Sequence, residues 1–570
     1  MPRLFRVAAR LRTAAAIASV VALSAAPALQ ARAQSANESK PLAVVGLSSF
    51  DSIVEDVNFL GGLAGNPMMG QLVQQMGVAF TQGMDTTKPV GVILQSDGVG
   101  FTGALCAPIG DLESYVETLA PFGVETSDEG NGVWKITAND KEMYATQAGE
   151  WALVSLMPDM LAGLPENPAE LIEAVTDEYD IGVKVMMQNV PENYRAMATD
   201  TIKQAVEGSL QEPLPGESEA DFEARKEQTM SQVEQIDQIF TDIDELTVGL
   251  AIDGGNNRAV FDFAYTVLEG TKLADQLALY EDSKTDFAGF IQPDAAMMLS
   301  LTQKMADTDK AQFKQMIPAL RKQVRNAVEN ETELPTDEAR EAMISAFDDF
   351  IDAFVATIDA GLMDGGAVLN LSPNAMSLVA GGFIGEPAKV EEGLKKIADI
   401  AKDEPDFPGV EWDAESHAGI SFHTLSVPLP ADEPEPRKFF GDAVDVAVGI
   451  GEKSVYFALG RDCLAKAKEV IDASAAAPGA DVKPMELSFA LGPILEVAAA
   501  FADGDDKETV QMISNVLNNE SQGRDHVRLT SEVVGGNSVR GRLELEDGVL
   551  RAIGMGAMAA QMRQMEAQGF

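Results

Sequence analysis

The chain has only three histidines, His417, His423 and His526, so any metal or acid–base chemistry using imidazole must be built around them. Two of them share an acidic stretch with Asp413 and Glu415. Carboxylates and imidazoles are ligands for zinc and related divalent ions. A single strand through this stretch places Glu415, His417 and His423 on one face. Neighbours on one strand face project in parallel, whereas a mononuclear site needs ligands that converge. The spacing also matches no metal motif. Asp413, Glu415, His417 and His423 are therefore read as a polar strand edge, and no metal or other cofactor is expected. Asp503-Gly504-Asp505-Asp506 lacks the alternate acids and distal glutamate of a calcium loop and reads as a helix–helix turn. No GxxxxGK[ST], GxSxG, SxxK or HExxH occurs, so phosphate loops, nucleophilic catalysis and zinc hydrolysis have no local support.

The remaining candidate is apolar. Met555, Met558, Met562 and Met565 fall at spacings of three, four and three, which puts them on one face of a helix. Methionine-rich faces are adaptable contact surfaces. The segment Val549 to Met565 reads first as ordinary core packing, with a lid or contact face as the alternative.

The elements that must position these residues follow from hydrophobic periodicity. Gly365 to Ile397 is the clearest stretch. Ala367, Leu369 and Leu371 alternate before a Ser-Pro-Asn turn and Met376, Leu378 and Ala380 alternate after it, the pattern of a hairpin with one face in a core. Glu386-Pro387 then opens an amphipathic helix. Related strand, helix and hairpin units begin at Pro41, Gly182, Met297 and Met485. A second kind of unit, a short helix followed by several strands, begins at Asp111 and Val390. In the first units, Met69, Leu72, Val73, Met76 and Phe80 share a helical face, as do Phe313, Ile317, Leu320 and Val324 further on. The order of units is A, B, A and then A, B, A again, which reads as a tandem duplication. The expected organisation is a leader over 1–33, a polar linker over 34–40, a first half over 41–281, a linker over 282–293, a second half over 294–553 and a helical tail over 554–570. The fold class is α+β: two similar halves, each an antiparallel sheet packed against long amphipathic helices.

Composition bounds location and partners. Arg3, Arg6, Arg10 and Arg12 precede an apolar run from Ala14 to Leu29, and Ala31-Arg32-Ala33 is a small-x-small cleavage site before Gln34. This is the pattern of a secretory leader, so the chain is expected in the periplasm or outside the cell. With 90 acidic and 42 basic residues the formal charge is −48, and loss of the leader removes five arginines and no acid. Such a field repels nucleic acid and anionic surfaces. No later stretch is long enough to span a bilayer. Cys106 and Cys463 are the only cysteines, read as two buried thiols rather than a disulfide scaffold.

The leader, the acidic bias, the run His423-Thr424-Leu425-Ser426-Val427-Pro428-Leu429 and the strand–helix run Trp151 to Leu161 resemble large exported proteins of planctomycete-type bacteria. That resemblance implies no activity and carries over no site. The function expected from the sequence is non-enzymatic: a binding or scaffold protein holding an apolar small molecule or a partner's apolar segment between sheet and helices. The alternatives are a structural envelope protein acting through protein contacts, and a hydrolase whose residues are scattered in sequence.

Overall fold

The computed structural model describes residues 39–556 apart from 330–335, most of 211–239 and the single positions 99, 139, 140, 162, 166, 403, 405, 433 and 503. The leader and Met558, Met562 and Met565 lie outside the described residues. The chain divides into two compact units, one of residues up to Asn58 with Met68–Ala251, the other of Phe59–Pro67 with Ile252 onward.

The first unit contains β1 (Lys40–Leu47), α1 (Phe50–Leu63, to Asn58), α2 (Met69–Thr81), β2 (Val90–Ser96), β3 (Phe101–Ala107), α3 (Leu112–Thr118) and β4 (Glu125–Gly130). It continues with β5 (Val133–Ala138), β6 (Lys141–Ala148), β7 (Trp151–Ser155), α4 (Ala169–Thr176), β8 (Ile181–Met186), α5 (Glu192–Ser209) and β9 (Ile243–Asp253, to Ala251). Local chemistry sets the ends: Asp111 accepts a hydrogen bond from the Ser114 N–H and so caps α3. Pairing is antiparallel throughout, in the order β4-β5-β6-β7-β3-β2-β1-β8-β9. Ile172 and Val175 of α4 pack with Val44, Ile93, Ala104, Cys106 and Leu153 on one sheet face. The approach is so close that a Cβ at Gly91 would stand 2.6 Å from Ile172. Around β5 to β7 the opposite face is covered by α3, where Leu112 and Val116 join Ile136, Ala145 and Ala152.

The second unit contains β10 (Arg258–Val267), α6 (Lys272–Ala278), β11 (Lys284–Thr285), β12 (Met297–Lys304), α7 (Asp307–Glu329), α8 (Asp337–Ala360), β13 (Leu362–Ser372) and β14 (Ala375–Phe383). There follow α9 (Pro387–Ala401), β15 (Glu411–His417), β16 (Ile420–Pro428), α10 (Pro434–Phe440), β17 (Ala443–Ile450), β18 (Ser454–Gly460) and α11 (Cys463–Ala476). The last elements are β19 (Ala480–Asp481), β20 (Met485–Ala490), α12 (Leu491–Phe501), α13 (Gly504–Val516), β21 (His526–Val534) and β22 (Ser538–Glu546). Thr336 caps α8 through the Ala339 N–H, and Gly361 ends it at φ 70, a left-handed turn that suits glycine. The strand order is β15-β16-β17-β18-β14-β13-β12-β20-β21-β22-β10, again antiparallel. In each unit four strands in ascending order from the β4 or β15 edge are followed by three in descending order and then by later strands of the chain, β8 and β9 in the first unit and β20, β21 and β22 in the second, where β10 lies beyond β22. Both edge strands, ETSDEG and EWDAESH, are acidic and mostly exposed.

The main core of the second unit joins Val368, Val379, Phe422, Ala447, Tyr456 and Ala458 of the sheet to Ala467, Val470 and Ile471 of α11. Phe287 and Phe290 belong to this core. Residues 282–293 are therefore not the linker expected from the sequence. The segment has too few apolar positions to show a period, yet Phe290 is fully buried, and the Thr285 hydroxyl donates to Asp364 at 2.5 Å. The compact units instead divide at Ala251/Ile252.

One titration bears on the first unit. Burial, then the charge of Asp180 and a hydrogen bond with it, push Asp56 of α1 up to about 7. The folded chain then holds a proton that the unfolded chain, titrating near 3.8, has already released. Stability from this group is full below the unfolded value and is lost as pH rises through about 7. The thermal midpoint is expected to fall between pH 5 and pH 8 and to fall less in Asp56→Asn. Equal slopes for both proteins would show that Asp56 is not the group responsible.

Candidate functional site

Register partners in an antiparallel ladder project from the same face, so the pairings define what each sheet surface carries. In the second unit Phe261, Leu543, Leu529, Leu487, Leu299, Ala367, Ala380, Phe457 and Val448 are successive partners across nine strands. Eight strand spacings make this row about 38 Å long. The parallel row from Leu545 through Val527, Phe489, Met297, Leu369 and Leu378 to Leu459 is equally apolar. No charged side chain interrupts either row.

This face is only partly covered. Phe261 is 42% exposed, Phe263 46%, Leu529 38% and Phe457 38%. On the other face of β10, β21 and β22 stands a charged lattice: Arg258 with Asp253 and Glu544, Arg528 with Glu544 and Glu546, and Arg542 with Asp262. Polar side chains thus take one surface of the strands and large apolar ones remain open on the other. The alternation Ala367, Leu369, Leu371 and Met376, Leu378, Ala380 belongs to the open face, whereas the sealed core takes the small-to-medium residues between them, Val368 and Val379. Period 2 identified the hairpin but not which of its sides is sealed.

The first unit has a smaller surface of the same kind. Val248, Val183, Val45, Val92, Leu105 and Val154 are successive partners, and Leu250, Ile181 and Leu47 form the adjoining row. Leu105 is 41% exposed and Ile181 47%. On α2, Met69, Leu72 and Met76 are exposed rather than inward, and on α7 and α8 Met316, Leu320, Phe347 and Phe354 are exposed as well.

The polar stretch is not one strand but the β15–β16 hairpin, turning at Ala418-Gly419, where Ala418 adopts φ 50 and Gly419 φ 81. His417 and Glu415 face α11, where His417 Nε2 lies 2.7 Å from Asp472 and Glu415 pairs with Lys468. His423 lies in the other face's register, opposite Val448, with Nε2 3.8 Å from Glu391 of α9. Its Nδ1 accepts the Asp413 N–H at 3.0 Å, and its ring meets Trp412 edge-on at 4.9 Å. Asp413, at φ 51 in an irregular part of the ladder, accepts from the Ser421 hydroxyl at 2.5 Å. The four residues therefore do not converge, and the two histidines serve opposite sides of the sheet.

Beside Glu415 is an open cavity of about 830 Å³, lined by Glu411, Glu415, Asp445, Asp462, Cys463 and Lys468 among others. Burial pushes the Cys463 thiol up to about 11 and that of Cys106 up to about 12, so neither supplies a thiolate at neutral pH. Both cysteines are free and buried. Sequence spacing gave no hint of a cluster made by His526, its neighbour Asp525 and Glu546 from the next strand. His526 Nδ1 lies 3.1 Å from Glu546 and 3.5 Å from Asp525, while Asp525 also accepts the Gly492 N–H that opens α12. Burial raises Glu546, but hydrogen bonds from His526 and the Arg528 guanidinium outweigh it and hold this carboxyl at about 2. Each member has a structural partner, and the cluster ties α12 to β21 and β22. Met555 is half-buried in a helix over 547–556, and the rest of the proposed methionine face lies outside the described residues.

No protein-family model, curated protein or solved structure matches this chain. Fold and surface define an antiparallel α+β protein with two-sided sheets, one side apolar and partly open. Among the described residues no helix is long and apolar enough to cross a membrane.

Proposed function

We propose that the chain is an exported, non-enzymatic binding protein that holds an apolar ligand against the open faces of its sheets. The supporting observation is the uncharged surface of the second unit, where Phe261, Phe263 and Leu529 remain about two-fifths exposed although the opposite side of their strands carries a charged lattice. Leaving such area in water forfeits about 25 cal/mol for each Å², and contiguous exposed apolar surface marks interaction sites. Recurrence of the surface in the first unit, with a matching order over the first seven strands, fits two copies of one binding design joined in tandem. Scaffolding through protein contacts is the second reading, favoured by the exposed Met69, Leu72 and Met76 on α2.

Gly541 provides the test. Its partners Phe263 and Ser531 place it on the open face, and a Cβ there would meet nothing nearer than the Phe263 carbonyl at 3.7 Å. Gly541→Trp is expected to fold, as judged by circular dichroism, and to weaken saturable binding of an environment-sensitive apolar dye by roughly tenfold, equivalent to about 1.4 kcal/mol. Undiminished dye binding by the folded variant, with no lipid in solvent extracts of the native protein, would defeat the carrier reading.

A further inference from the structure

Resting on the binding role just proposed, we infer that the occupant of the second unit's open face is the acyl part of an uncharged or zwitterionic lipid. The argument begins with what the face lacks. Across the rows from Phe261 to Val448 and from Leu545 to Leu459 the side chains offer neither charge nor hydrogen-bonding group, and the strand backbones are engaged with one another. A protein partner ordinarily exchanges about one hydrogen bond for every 100–200 Å² of interface. These rows have almost nothing to exchange, whereas a hydrocarbon chain asks for nothing but apolar contact.

Length agrees. The row of about 38 Å exceeds the thickness of one leaflet's hydrocarbon, about 15 Å, so an extended acyl chain fits along it with room for a second. Charge then selects the headgroup. The chain has 90 acidic against 42 basic residues, and its net charge of −48 sets up a field that disfavours an anionic head wherever it emerges at the rim. The rows themselves contain no arginine or lysine to offset that field.

Two fluorescent phospholipids with identical acyl chains, one with a phosphocholine head and one with a phosphoglycerol head, would be titrated against the purified chain at low and high salt. The phosphocholine lipid is expected to bind saturably, and the phosphoglycerol lipid roughly tenfold more weakly at low salt, with the gap closing as salt screens the field. Gly541→Trp is expected to weaken both. Equal binding of the two lipids at low salt would overturn the headgroup inference while leaving the carrier reading intact. Binding of neither lipid, with the apolar dye still bound, would overturn the acyl assignment. Binding of neither lipid nor dye would remove the carrier reading itself. A native mass of two chains that Gly541→Trp reduces to one would show that a second copy occupies the face, and would overturn the inference as well.

Discussion

Replacing Phe290 by alanine is expected to destabilise the second unit by about 3–5 kcal/mol, the usual cost of emptying a buried aromatic site. Its ring is fully buried and stacks against Tyr456 at 6.3 Å, and a Cβ on Gly366 would stand 2.9 Å from the ring's Cγ. The neighbouring backbone cannot collapse to fill the space, because it already lies against α11: a Cβ on Gly289 would stand 2.0 Å from the Val470 carbonyl oxygen. Urea unfolding monitored by circular dichroism measures the loss. A tether between two halves would tolerate the same change within about 0.5 kcal/mol, so a small effect would restore the linker reading of residues 282–293.

The second large effect concerns Asp262. This carboxylate has no solvent exposure and accepts two hydrogen bonds from Arg542, at 2.9 and 2.7 Å, with Arg540 3.8 Å away. The fork joins β10 to β22. Asp262→Ala would take away the buried carboxylate that Arg542 grips with two hydrogen bonds, for which about 3 kcal/mol is expected, the lower part of the range for a broken buried pair. The arginine side chains are a quarter to a third exposed, and water reaching them relieves part of the cost. A double-mutant cycle with Arg542→Met separates this pair from its surroundings. A coupling below about 1 kcal/mol would place it among ordinary surface pairs.

These residues show what one-dimensional pattern does and does not reveal. Strands and hairpins were legible because alternation and turn chemistry are local: β13 and β14 pair Leu371 with Met376 across the expected turn, and α9 begins at the expected Pro387. The closed thiols were legible too. The burial of each strand side was not, since Ala367 and Val368 are both apolar-compatible and only the helix packed on one of them decides. The same ambiguity reversed α2, where a helical stripe that reads as core leaves Met69, Leu72 and Met76 exposed. His417 and His423 were placed together because the Ala418-Gly419 turn went unrecognised. The Asp525, His526 and Glu546 cluster depends on pairing between β21 and β22, a register that composition does not encode.

The acidic edge strands have a consequence for how copies of this protein meet. An exposed edge is a template for another strand, and a protein with open apolar surface is poorly placed to tolerate one. Glu125, Asp128 and Glu129 on β4, and Glu411, Asp413 and Glu415 on β15, bring like charges together whenever two such edges approach. Held apart in this way, each margin acts as a stop rather than a splice, so that the antiparallel order ends at β4 and at β15 instead of running on into a neighbouring copy.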